Sequence, residues 1–175
     1  MKKDWTPTEF AQYALRLKLI LTDCDGVLTD GGVYYSKHGE ELKRFNIRDG
    51  MAVERLRLLA GIDTGIVTGE LSASVAERAE KLKITELHLG SKDKAATVRA
   101  IMERLNLNSQ EVAYVGDDVN DLPAFAIVGL TACPNDAFSE VKATADVVLT
   151  RPGGHGVFRE FAEMILKARA DAGAV

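Results

Sequence analysis

Short apolar runs alternate along this chain with longer stretches in which apolar residues recur at helical spacing, and that alternation limits the fold more than any other feature. It is the pattern of a parallel sheet covered by helices, so the expected class is α/β. Leu17 to Thr22, Ile62 to Thr68, Glu86 to Leu89, Val112 to Gly116, Val128 to Ala132 and Val147 to Leu149 read as strands. Helices are expected over Thr6 to Arg16, with Thr6 or Thr8 as N-cap and Pro7 in the first turn, and from Asn46 or Asp49 to Leu59, with Gly61 closing the turn. Further helices are expected over Ser74 to Leu82, Asp93 to Leu105, Leu122 to Ala126 and Gly156 to Ala170. Val33 to Ser36 and Glu41 to Phe45 break the alternation; they flank KHGE and predict a β-hairpin, an insertion over about residues 32–46 with Gly39 in its turn. The closing DAGAV reads as a disordered tail.

With 175 residues, 46% of them hydrophobic, the chain can bury one core, and 1–175 is read as a single domain. Its 22 Lys+Arg against 26 Asp+Glu give a net charge of -4, which leaves neither the basic footprint of a nucleic-acid binder nor a polybasic membrane patch. An anionic substrate would therefore need a local cation. MKKDWTPTEF is followed by no apolar segment of the kind a signal peptide needs, and no run is long enough to span a bilayer, so the cytoplasm is the expected location. Cys24 and Cys133 sit in apolar strand-like stretches without metal-binding spacing, which argues against a disulfide framework or a zinc site.

Ligands of open α/β sheets bind beyond the carboxyl ends of the strands, so the residues delivered there carry the functional argument. The first strand delivers Asp23, Cys24, Asp25 and Gly26, the second Thr68 and Gly69, and the strand Val112 to Gly116 delivers Asp117 and Asp118 with Asp121 behind; Lys94 opens a helix after another strand. Phosphoryl transfer needs a nucleophile, a hard cation held by carboxylate oxygens, and donors for the phosphate oxygens. Asp23 suits the nucleophile and Asp25 the acid and base, while Asp23, Asp25 and Asp117 form the expected set for Mg²⁺. Thr68 and Lys94 are the expected phosphate donors, and Asp118 and Asp121 are expected to hold the cation's waters or to orient Lys94. Each piece alone is an ordinary turn or cap; four of them in this order at strand ends favour the catalytic reading.

DCDGVLTDGG, VTG, DK and VAYVGDDVNDLP resemble the four motifs of the haloacid dehalogenase superfamily. GEELKRFNIRDG, RAEKL and RPGGHGVFRE are similar to its capless sugar-acid phosphatases, over roughly Leu17 to Leu166. The resemblance implies a doubly wound, mostly parallel Rossmann-like core with an inserted hairpin and no cap domain. It also implies a homotetramer in which a neighbouring subunit closes the site. Val33, Tyr34, Tyr35 and Leu42 are the residues expected at that interface.

In the same family, Glu after the Thr-Gly of the second motif with Lys eleven positions later marks enzymes acting on nine-carbon 2-keto-3-deoxy sugar acid 9-phosphates, where octulosonate phosphatases carry Arg. Glu70 and Lys81 match the former, so the expected substrate is a nonulosonate 9-phosphate. 3-Deoxy-D-manno-octulosonate 8-phosphate is the alternative and neuraminate 9-phosphate a third possibility. Gly69, Arg48, Arg78 and Arg159 are further expected substrate contacts, Arg159 toward a neighbouring subunit's site. Two other classes compete. A signalling receiver domain uses the same residue types but places its acidic pair on the first strand, opposite to the order here. A catalytically silent regulatory module would have lost acids that this chain keeps.

Overall fold

The computed structural model of the chain describes residues 5–174, so the first residues of MKKDWTPTEF and the last of DAGAV lie outside the described part. In chain order the elements are α1 (Pro7–Arg16), β1 (Leu19–Thr22), β2 (Thr29–Ser36), β3 (Gly39–Phe45), α2 (Ile47–Arg55), β4 (Asp63–Val67), α3 (Ala73–Leu82) and β5 (Glu86–His88). They continue with α4 (Lys94–Leu105), β6 (Val112–Val115), α5 (Leu122–Phe125), β7 (Leu130–Cys133), α6 (Ser139–Thr144), β8 (Val147–Val148) and α7 (Val157–Asp171).

Six strands form one parallel sheet in the order β5-β4-β1-β6-β7-β8, and β2 pairs with β3 as a separate antiparallel hairpin. The chain winds outward from β1 through β4 to β5, then returns to lay β6 on the other side of β1. Strand order reverses between β1 and β6, and that reversal opens a crevice at their carboxyl ends. The register Thr22↔Val115 sets Asp23 beside the residues that follow β6, and the Asp23 amide donates to the Val115 carbonyl at 2.9 Å.

Both faces of the sheet are buried, as its apolar strands require. Ile20, Ala113 and Val115 point into the core that packs α1, α2 and α7, whereas Leu19, Leu21, Val112 and Tyr114 point into the core under α4 and α5. This is the period of two expected of a strand.

Local chemistry sets the boundaries. Thr6 caps α1 in a reciprocal box with Glu9, and Ser72 and Asp93 cap α3 and α4. Leu17 belongs to the end of α1, its amide donating to the Tyr13 carbonyl, so β1 begins at Leu19. Asn46 is the cap of α2; Asp49 turns inward and accepts from the Arg159 amide at 2.8 Å at the start of α7. A π turn over Leu56–Ala60 extends α2 to Gly61, whose φ of 63° lies in the left-handed region. The hairpin begins earlier than expected, at Thr29. Helix α6, absent from the sequence reading, is six residues long with no side-chain cap and one buried residue, Val141, too short for periodicity to show. Of the expected tail, Asp171 ends α7 and the Gly173 amide bonds back to the Ala170 carbonyl at 2.9 Å. Both cysteines are buried, and among the described residues no helix is long and apolar enough to cross a membrane.

Candidate active site

Asp23 leaves the end of β1 with 6% of its surface exposed. Its Oδ1 accepts from the Cys24 amide at 2.7 Å, and its Oδ2 faces the Lys94 ammonium at 2.7 Å. Lys94, the first residue of α4, also reaches Asp121 Oδ1 at 2.6 Å. Asp121 is fully buried and saturated: the Tyr114 hydroxyl donates to Oδ1 at 3.0 Å, and the Asp117 and Asp118 amides donate to Oδ2 at 2.9 and 3.3 Å. It anchors the ammonium and the turn after β6 at once. Asp118 is exposed and caps the short 3₁₀ turn Val119–Asp121.

Asp117 is placed differently. Its Oδ1 is buried and accepts no hydrogen bond, while one oxygen from each of Asp23, Asp117 and Asp121 lies within 4.8 Å of the others. Burial, then the charges of Asp23 and Asp121, push the Asp117 carboxyl up to about 8. Burial and Asp121 push Asp23 up to about 7, with Lys94 pulling it back. Three carboxylates against one ammonium leave an excess of buried negative charge and an unpartnered oxygen, which is the donor set of a hard divalent cation. Since the oxygens of Asp121 are committed elsewhere, Asp23 and Asp117 are the ligands the geometry offers. Gly26 is part of the same cradle: its φ is 80°, and a Cβ there would lie 2.0 Å from Asp117 Oδ2.

The Asp25 carboxylate, expected in the cation set with Asp23 and Asp117, is not one of the three that converge. Its Oδ1 accepts from the Thr29 hydroxyl at 3.1 Å and its Oδ2 from the Lys43 ammonium at 2.5 Å. Lys43 has a fully covered side chain and lies 3.4 Å from Glu40 as well. Burial pulls its pKa down, but the hydrogen bond and charge of Asp25 outweigh that and leave it above the ordinary lysine value. Glu40 in turn accepts from the Ser72 hydroxyl. None of Lys43, Glu40, Ser72 and Tyr114 was singled out from sequence, because nothing in a hairpin, a helix cap or a core tyrosine marks it as belonging to a site.

A cleft of about 240 Å³ opens beside the carboxylates, and its walls include Asp23, Asp25, Thr68, Gly69, Glu70 and Asp117. Thr68 is buried, and its hydroxyl accepts from the Glu70 amide at 3.3 Å. Lys94 stands behind Asp23 and is not part of the wall. The other expected substrate residues lie elsewhere. Lys81 is exposed, nine residues past the Ser72 cap of α3 and so roughly 13 Å along the helix axis. Arg78 ties α3 to the hairpin exit, donating to the Asn46 carbonyl at 3.0 Å with its guanidinium over the Phe45 ring. Arg48 and Arg159 line a separate groove beside α7, where Arg159 pairs with Glu163 at 2.8 Å.

The haloacid dehalogenase-like hydrolase family model matches residues 33–129. The 3-deoxy-D-manno-octulosonate 8-phosphate phosphatase of Yersinia pestis is 38% identical over 90% of this chain and 84% of its own length. The Haemophilus influenzae phosphatase of the same name is 39% identical over 87% and 84%. Among solved structures, a Moraxella catarrhalis enzyme of that name, in complex with magnesium, phosphate and KDO, superposes with a TM-score of 0.88 at 35% identity, covering 95% of this chain and 96% of that one. The cobalt-bound Haemophilus influenzae enzyme gives 0.87 at 38% identity, covering 91% and 92%. Motif order, sheet topology, the carboxylate cluster and these matches converge: the chain belongs to the haloacid dehalogenase-like hydrolase family.

Proposed function

We propose that this chain is a Mg²⁺-dependent phosphatase that releases inorganic phosphate from 3-deoxy-D-manno-octulosonate 8-phosphate by way of an aspartyl phosphate at Asp23. The observation that carries the chemistry is the Asp23 carboxylate at the β1/β6 crevice, held by Lys94 on one side and facing the unpartnered Asp117 oxygen on the other. The eight-carbon substrate is supported by the relatives at 38–39% identity, which are named for it. Mg²⁺, held by Asp23 and Asp117, supplies the positive charge that lets a phosphate ester approach buried carboxylates.

The remaining chemistry belongs to the chain's own residues. The charge of Lys94 favours the ionised form of Asp23 and its two contacts fix the carboxylate in place, so an oxygen can attack phosphorus while the ester oxygen leaves. Asp25, in the cleft wall, hands a proton to the leaving oxygen and takes one from the water that hydrolyses the aspartyl phosphate. The Thr68 hydroxyl donates to a phosphate oxygen.

One observation favours the nine-carbon reading: Glu70, which prompted it, does line the cleft. Its companion Lys81 stands down α3, which weakens that reading for a site built by one subunit. Turnover of both sugar-acid phosphates, with and without chelator, separates the two. A higher kcat/KM on the eight-carbon ester and loss of activity with chelator are expected; preference for the nine-carbon ester would reverse the substrate assignment. A homotetramer is proposed as well, on the exposure of Tyr34, Tyr35 and Leu42 along the hairpin. Light scattering tests it.

A further inference from the structure

The Asp25 carboxylate is bound by a hairpin residue that the chemistry described so far does not use. Lys43 Nζ lies 2.5 Å from Asp25 Oδ2 and 3.4 Å from Glu40, and its side chain is wholly covered. The Glu40–Lys43 contact is built by a defect in the hairpin. Residues three apart on a regular strand face opposite sides. Here Tyr34 pairs with Leu42 and Tyr35 with Glu40, so β3 carries one extra residue, Glu41. The bulge flips the alternation and brings Glu40 and Lys43 to one side. Glu40 is itself fixed by the Ser72 hydroxyl at the N-terminus of α3, so the ammonium is held from the core side as well as from the hairpin. With Thr29 on Oδ1 and Lys43 on Oδ2, both oxygens of Asp25 have a set direction.

We infer that Lys43 is a positioning residue for the second half-reaction, holding the Asp25 carboxylate in place and aimed at the water that hydrolyses the aspartyl phosphate. In that step Asp25 takes a proton from water, the water oxygen bonds to phosphorus, and the bond from phosphorus to the Asp23 oxygen breaks; inorganic phosphate leaves and Asp23 is regenerated as a carboxylate. A carboxylate with a partner fixed on each oxygen accepts that proton in a set direction, and loses that direction when the ammonium is removed. The inference rests on the reading of Asp25 as the base.

p-Nitrophenyl phosphate tests it, because p-nitrophenolate leaves without needing a proton and only the hydrolytic step then depends on Asp25. Lys43→Met is expected to lower kcat on the order of 10- to 100-fold, at or below the roughly 100- to 10,000-fold that a whole general base contributes. It should leave a burst of p-nitrophenol near one equivalent per subunit as the phosphorylated enzyme accumulates. Lys43→Gln, which keeps a donor, should lose less, and it serves as the measurable variant if thermal melts show that the methionine variant does not fold. In an Asp25→Asn background, Lys43→Met should change kcat less than threefold, roughly the additivity limit for independent sites. An equal loss in both backgrounds, a loss without a burst, or no loss would overturn the inference. If Asp25→Asn itself retains full kcat and shows no burst, the reading of Asp25 as base fails, whatever Lys43 does.

Discussion

Lys94→Met removes the one cation among the described residues that pairs with both Asp23 and Asp121, and the consequence can be worked from their burial. Asp121 is fully buried, Asp23 is nearly so, and the ammonium lies 2.7 and 2.6 Å from them. Removing one partner from a buried, hydrogen-bonded charge pair costs about 3–5 kcal/mol, because the charge left behind has no water to turn to. For a chain of this length that corresponds to a fall in Tm of roughly 6–20 °C. The loss must depend on pH. The Asp23 carboxyl already stands at about 7 in the folded chain, so at pH 5 it is largely protonated and the pair is weak before mutation. The fall in Tm should therefore be larger at pH 8 than at pH 5, measured by calorimetry on metal-free protein. Turnover at neutral pH should fall by about 100-fold or more, since the cation that fixes Asp23 Oδ2 and anchors it to Asp121 is gone. A Tm within 2 °C of the parent at pH 8, or a loss equal at both pH values, would refute the electrostatic account of Lys94.

Gly26→Ala places a Cβ 2.0 Å from Asp117 Oδ2 at a φ of 80°, so Asp117 must move. Strain of about 1–2 kcal/mol and at least a tenfold weaker Mg²⁺ affinity are expected, read from the Mg²⁺ dependence of Tm; unchanged affinity would contradict the proposed ligand set. In metal-free protein, stability should decline from about pH 4 to about pH 8, because Asp23 and Asp117 hold protons in the folded chain that the unfolded chain has already released. Added Mg²⁺ should raise Tm more at pH 8 than at pH 6, as binding displaces those protons; a Tm gain independent of pH would count against the raised carboxyls.

The sequence by itself determined the α/β class, a threonine cap with proline behind it at the start of α1, and the arrival of Asp23, Thr68 and Asp117 at strand ends. All of these are local: a cap acts within one turn, and a residue following a short apolar run stands at the strand's end whatever the rest of the chain does. Only the tertiary structure decided which oxygens are free. Asp121 and Asp117 look alike in GDDVND, yet one is saturated by Lys94, Tyr114 and two amides while the other keeps a bare buried oxygen. Asp25 pairs with Lys43, eighteen positions away, and a one-residue bulge in β3 puts Glu40 on the same side of that ammonium. Lys81, read with Glu70 as one substrate contact, lies roughly 13 Å along α3 from its Ser72 cap, while Glu70 lines the cleft. Such contacts join residues distant in sequence through the winding of β6 beside β1 and the docking of the hairpin, and spacing along the chain holds no record of either.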